Sequence, residues 1–125
     1  MVYKHIVMWK FKEQHNGKSA LENARWMKEQ LEALVGVVPE LLSAEVGISP
    51  ALEQAAAAPS NAAAASNAAA PAPAASGEYD ACLLSTFASP EALAAYKVHP
   101  KHKAISAYCK EARLKRLAFD WWSEE

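Results

Sequence analysis

Tyr3-Lys4-His5-Ile6-Val7-Met8-Trp9-Lys10-Phe11 decides the fold. The stretch holds no glycine or proline and is rich in aromatic and β-branched residues, so it reads as a strand. Successive strand side chains point to opposite faces. Tyr3, His5, Val7, Trp9 and Phe11 therefore share one face, and Lys4, Ile6, Met8 and Lys10 the other. A strand covered on one side alone alternates apolar with polar residues. Here the odd face carries aromatics and a histidine, while Ile6 and Met8 give the even face an apolar centre. The sheet built on this strand needs cover on both faces.

The flanking sequence supplies the rest of that sheet. Ser19 with Glu22 forms a capping box for a helix running to about Val35. Leu21, Ala24, Met27, Leu31 and Leu34 follow its 3.6-residue period, and Gly36 and Pro39 stop it. Leu41 to Ile48 reads as a second strand with Ala44, Val46 and Ile48 on one side. Glu78 to Phe87 reads as a third, again apolar on both sides. Ser89-Pro90-Glu91 opens a short helix that ends before Pro100. Lys101 to Ala112 forms another, with Ile105 and Cys109 on one side, and Arg116 to Trp122 closes the sheet. The order strand, helix, strand, strand, helix, strand predicts an α+β, ferredoxin-like βαββαβ domain with a four-stranded antiparallel sheet. Its helices cover one face. Pairing of two copies through the helix-free sheet face covers the other, which makes a homodimer the expectation. The alternative is a monomer whose free face is covered by residues 51–77.

Residues 51–77 hold fifteen alanines and no aromatic. They offer little area to bury, so they read as an Ala/Pro-rich, mobile low-complexity insertion in a single domain spanning 1–125; a loosely docked helical flap is the other reading. A formal net charge of −1 argues against a nucleic-acid binder. Lys97, Lys101, Lys103, Lys110, Arg113, Lys115 and Arg116 are spread over several elements and read as solvated surface. Cys82 and Cys109 have no metal-ligand or CxxC spacing and read as buried thiols. With no signal-peptide run and no membrane-length apolar stretch, a cytoplasmic protein without membrane contact is expected.

The opening Val2-Tyr3-Lys4-His5-Ile6-Val7-Met8-Trp9-Lys10-Phe11-Lys12 resembles the start of the stress-responsive A/B-barrel domain (Dabb) family. Val38-Pro39-Glu40-Leu41, Ser89-Pro90-Glu91-Ala92-Leu93 and, most distinctively, Tyr96-Lys97-Val98-His99-Pro100-Lys101-His102 agree with it. The resemblance covers nearly the whole chain except 51–77. It implies a protomer that dimerises sheet to sheet into an α/β barrel, with a cavity between sheet and helices. Most members have no assigned reaction. A plant polyketide cyclase related to the family closes its substrate by an aldol reaction, and its catalytic tyrosine and histidine fall at Tyr96 and His102. A cavity histidine falls at His5, whereas a further one on the third strand falls at Ala81, which alters the pocket wall.

The residues themselves permit that chemistry. A histidine facing an apolar cavity can remove a proton from between two carbonyls, and a tyrosine hydroxyl can hydrogen-bond the oxygen that gains charge. The expected pocket is lined by His5, Val7, Trp9, Leu31, Ala81 and His99, with His102 and Tyr96 as the acting pair. One reading is a protein that binds a small apolar ligand without a reaction. The other is a cofactor-independent cyclase or isomerase acting on a polyketide-like or β-dicarbonyl substrate. His99-Pro100 also reads as a plain helix break, and His15, beside Asn16-Gly17, as surface. His5, His99 and His102 lack convincing metal-ligand spacing, so neither metal nor cofactor is expected.

Overall fold

The computed structural model describes residues 1–57 and 78–124. Four antiparallel strands form the sheet: β1 (Val2–Phe11), β2 (Ser43–Ile48), β3 (Ala81–Phe87) and β4 (Arg113–Ser123), in the order β2-β3-β1-β4. The helices are α1 (Ala20–Glu32), α2 (Pro50–Ala57), α3 (Pro90–Lys97) and α4 (Pro100–Ala112). Without α2 this is the expected ferredoxin-like arrangement.

Register sorts the two faces. Val7 lies between Leu83 and Ala118, so these three share the face beneath the helices. Val7, Trp9, Phe11, Leu83 and Phe87 are buried there against Met27 and Leu31 of α1, Tyr96 of α3, and Ile105 and Cys109 of α4. Ile6 lies between Leu84 and Phe119, and Met8 between Cys82 and Leu117, on the opposite face. That face has no helix over it among the described residues. Leu117 is 50% exposed there and Phe119 64%.

Local chemistry fixes the element ends. Ser19 Oγ accepts from the Glu22 amide, and the Glu22 carboxylate accepts from the Ser19 amide, completing the expected capping box. Ser89 caps α3 by accepting from the Ala92 amide, with Pro90 just inside the helix. The buried Asp80 carboxylate extends the sheet past the start of β3. It accepts from the Phe11 amide at 2.9 Å and from Lys10 Nζ at 3.2 Å. Opposite Lys10 and Phe11 the β1–β4 register slips: Lys10 faces Lys115, and Phe11 faces Arg113. Leu114 is the extra residue of a β-bulge.

Several boundaries differ from the sequence reading. Helix α1 ends at Glu32, with Ala33 as its cap, so Val35 lies outside it and is 41% exposed. Gly36, at φ 90°, turns the chain that follows instead of capping the helix. Residues 51–57 are not a loop. Helix α2 begins at Pro50, Ser49 Oγ accepts from the Ala51 amide, and Leu52 packs against the core. The remainder of the alanine-rich segment, 58–77, lies outside the described residues. Strand β4 starts at Arg113 rather than Arg116, because α4 passes directly into it. His15 is half-buried rather than on the surface, since the Asn16-Gly17 turn folds it back edge-on to Tyr108, 5.3 Å between ring centres. Cys82 is only half-buried, on the helix-free face, whereas Cys109 is in the core.

Candidate functional site

A cavity of about 290 Å³ opens between the β1–β4 half of the sheet and α4. Its apolar wall is Val7 and Trp9 of β1, Leu83 of β3, Leu31 of α1 and Ile105 of α4. Strand alternation explains the sheet side: His5, Val7 and Trp9 are alternate residues and all face the helices. His5 and His102 supply the imidazoles, and Lys97, Lys110, Arg113 and Arg116 the cations. Among the described residues no carboxylate lines it.

His5 is almost wholly buried, and its Nδ1 lies 2.5 Å from Asp120 Oδ1. The two residues are direct register partners, so the strand pairing itself brings them together. An ionised carboxylate only accepts, so Nδ1 carries the proton and Nε2 is left as the acceptor. Burial lowers the His5 pKa, while the Asp120 hydrogen bond and charge oppose that and the Lys97 and Arg116 charges add to it. On α4, His102 Nδ1 donates to the Lys97 carbonyl at 3.2 Å. This again leaves Nε2 free, with no partner among the described residues. Burial lowers the His102 pKa as well; the bond to Lys97 opposes this, while His5, Lys97 and Arg116 reinforce it. Both imidazoles are thus biased toward the neutral, basic form.

Tyr96 stands apart from the wall. Its ring is fully buried, packed on Phe87 with 5.1 Å between ring centres and on His102 with 4.3 Å. Its hydroxyl is buried without a hydrogen-bond partner among the described residues. Burial pushes its pKa up, so the hydroxyl keeps its proton at neutral pH.

Of the expected pocket residues, His5, Val7, Trp9, Leu31 and His102 meet in this cavity. Ala81 does not. It is buried at the far end of β3, opposite Trp9 and Ile48. His99 is also absent from the wall. Its Nδ1 accepts from the Lys101 amide at 3.1 Å and caps α4, because the amides at a helix start need acceptors and Pro100 has none to donate. The reading of the basic cluster as solvated surface fits Lys97, Lys101, Lys103, Lys110, Lys115 and Arg116, which are exposed, while Arg113 is half-buried. Lys97, Lys110, Arg113 and Arg116 also rim the cavity, and Lys115 sits 3.7 Å from Glu78. Sequence reasoning missed Asp120 and the arginines. Once β1 and β4 are paired, Asp120 becomes legible as the residue opposite His5.

The fold and cavity define a ferredoxin-like domain with a polar-edged pocket under its helices. The chain belongs to the stress-responsive A/B barrel domain (Dabb) family, whose model matches residues 3–63 and 63–123. No curated protein matches it. Among solved structures it is similar to a dimeric ferredoxin-like protein of unknown function from Bacteroides fragilis. That match has 22% identity and a TM-score of 0.70, over 98% of this chain and 96% of the other. A dimeric ferredoxin-like protein of unknown function from Thermobifida fusca aligns at 19% identity and a TM-score of 0.67, over 98% and 92%. Hydroxynitrile lyase from Passiflora edulis aligns at 15% identity and a TM-score of 0.68, over 99% and 95%. Among the described residues no helix is long and apolar enough to cross a membrane.

Proposed function

We propose that this chain works as a homodimer paired through the helix-free sheet face, each protomer binding a small, largely apolar ligand in the cavity under α4. The observation that carries the ligand reading is the cavity wall itself: apolar side chains converge with two imidazoles whose Nε2 atoms have no partner among the described residues. A volume of about 290 Å³ lies just below the roughly 300 Å³ at which the range of small-molecule pockets begins, so the ligand is small. The dimer reading is supported by the exposed Leu117 and Phe119 beside Ile6, Met8 and Leu84. It is also supported by the relatives from Bacteroides fragilis and Thermobifida fusca, both described as dimeric. Titration with octanoate and its neutral amide, followed by the ring proton–carbon resonances of the four histidines, tests the ligand site. His5 and His102 are expected to shift while His15 and His99 stay. If neither compound moves His5 or His102, the reading fails.

A second reading is favoured by the pairing of His102 with Tyr96. As a cofactor-independent cyclase or isomerase, the protein would take a polyketide-like or β-dicarbonyl substrate. His102 Nε2 would accept a proton from the carbon between the carbonyls, and the Tyr96 hydroxyl would donate to the enolate oxygen once the ring turns toward the cavity, whose wall it does not join in this structure. A lyase on the same fold, that of Passiflora edulis, shows the fold to be compatible with catalysis. The protein should then speed deuterium uptake by ethyl acetoacetate in heavy water, and His102→Gln should abolish the acceleration. Equal rates with and without protein would remove this reading while leaving ligand binding intact.

A further inference from the structure

We propose that the ligand is an organic anion, its apolar body against Trp9, Leu31 and Ile105 and its carboxylate or phosphoryl head between Arg113 and Arg116; this rests on the ligand-site reading above.

Residues three apart on a regular strand point to opposite faces. Arg113 and Arg116 are three apart, yet both line the cavity. The bulge at Leu114 makes this possible, because the extra residue resets the alternation: Arg116 lies opposite Trp9 and Arg113 opposite Phe11, two residues of the same face. A break in the ladder thus turns a second guanidinium into the pocket.

Among the described residues no carboxylate forms a direct ion pair with either guanidinium. Lys97 and Lys110 likewise make none within 4 Å among these residues. The nearby carboxylate, Asp120, is engaged by His5. Burial and the charge of Arg113 both disfavour the charged form of Arg116, with Asp120 opposing them. Four cations at the edge of one cavity, with Asp120 as the nearby counter-charge, repel one another in the empty protein, and that repulsion is relieved once an anion enters. Guanidinium groups suit carboxylate and phosphoryl oxygens because they offer planar, paired donors. The five apolar wall residues, on the other side, need a hydrocarbon body.

Calorimetric titration with octanoate, octyl phosphate and octanamide tests the inference. Octanoate or octyl phosphate should bind about tenfold or more tightly than octanamide, the worth of a charge-assisted hydrogen bond. The better of the two anions identifies the head group. Arg113→Gln/Arg116→Gln should erase the advantage, bringing both anions to the affinity that octanamide has for the same variant. Arg113→Lys/Arg116→Lys should keep part of it, and Lys103→Gln, outside the cavity, should keep all of it. If octanamide binds as well as both anions, the anion inference is overturned while the ligand site stands. If none of the three binds, the site and the inference fall together.

Discussion

Tyr96→Phe removes one oxygen from a fully buried ring, and the structure implies that the protein becomes more stable. The hydroxyl has lost its water on folding and gained no partner among the described residues. An unsatisfied buried polar group costs roughly 1–3 kcal/mol. The ring's contacts with Phe87 and His102 survive the change, because phenylalanine keeps the same ring. Only the small volume of the oxygen is lost, so the net gain should be about 1–2 kcal/mol. For a domain of this size each kcal/mol moves Tm by roughly 4–8 °C. Urea denaturation of both proteins at neutral pH, with scanning calorimetry alongside, measures the difference. A stabilised Tyr96→Phe that no longer accelerates deuterium uptake by ethyl acetoacetate would identify the hydroxyl as a group kept for function at a cost in stability. A Tyr96→Phe protein less stable than the parent would show that the hydroxyl is hydrogen-bonded after all, refuting the reasoning.

Asp80→Ala should destabilise by about 2–3 kcal/mol in urea denaturation, because it strands the buried Phe11 amide; a loss under about 0.5 kcal/mol would place the end of β1 elsewhere. Ser19→Ala should cost about 1 kcal/mol through loss of the capping box, read as reduced helicity and a lower urea midpoint. The lowered pKa values of His5 and His102 give stability a definite pH dependence. Above the ordinary histidine value of 6.5 neither state is protonated, whereas below it the unfolded chain takes up protons first. The unfolding free energy should therefore fall as pH drops below 6.5, down to the folded-state values, and His102→Gln should flatten part of that slope. A stability that is level or rising from pH 6.5 to 5 would contradict the burial of these rings.

How much of this was legible in the sequence follows from what is local. The two-sided pattern of Tyr3 to Phe11, the Ser19/Glu22 box and Ser89-Pro90 are short-range signals, and each formed the element they indicate. The end of α1 was read too far along, because apolar Leu34 and Val35 continue the helical period although the backbone has already turned. His5 and His102 were found from their place in a pattern. Their partners were not, since Asp120 is 115 residues from His5 and is aligned with it only by strand register. Arg113 was hidden because the closing strand was read as starting at Arg116, and the bulge that turns both arginines to one face leaves no mark in the local sequence. His99 looked like a pocket residue through its nearness to His102, yet a proline-started helix needs a cap and takes that imidazole for it.

In the proposed homodimer two copies meet at the helix-free sheet face, apolar at Ile6, Met8, Leu84, Leu117 and Phe119. Sedimentation equilibrium at micromolar concentration tests it most directly, with Phe119→Asp run beside the parent. The parent should sediment at twice the 13.5 kDa chain mass and the folded variant at a single chain mass. A parent protein sedimenting at 13.5 kDa, or a Phe119→Asp variant that stays at twice that mass, would contradict it.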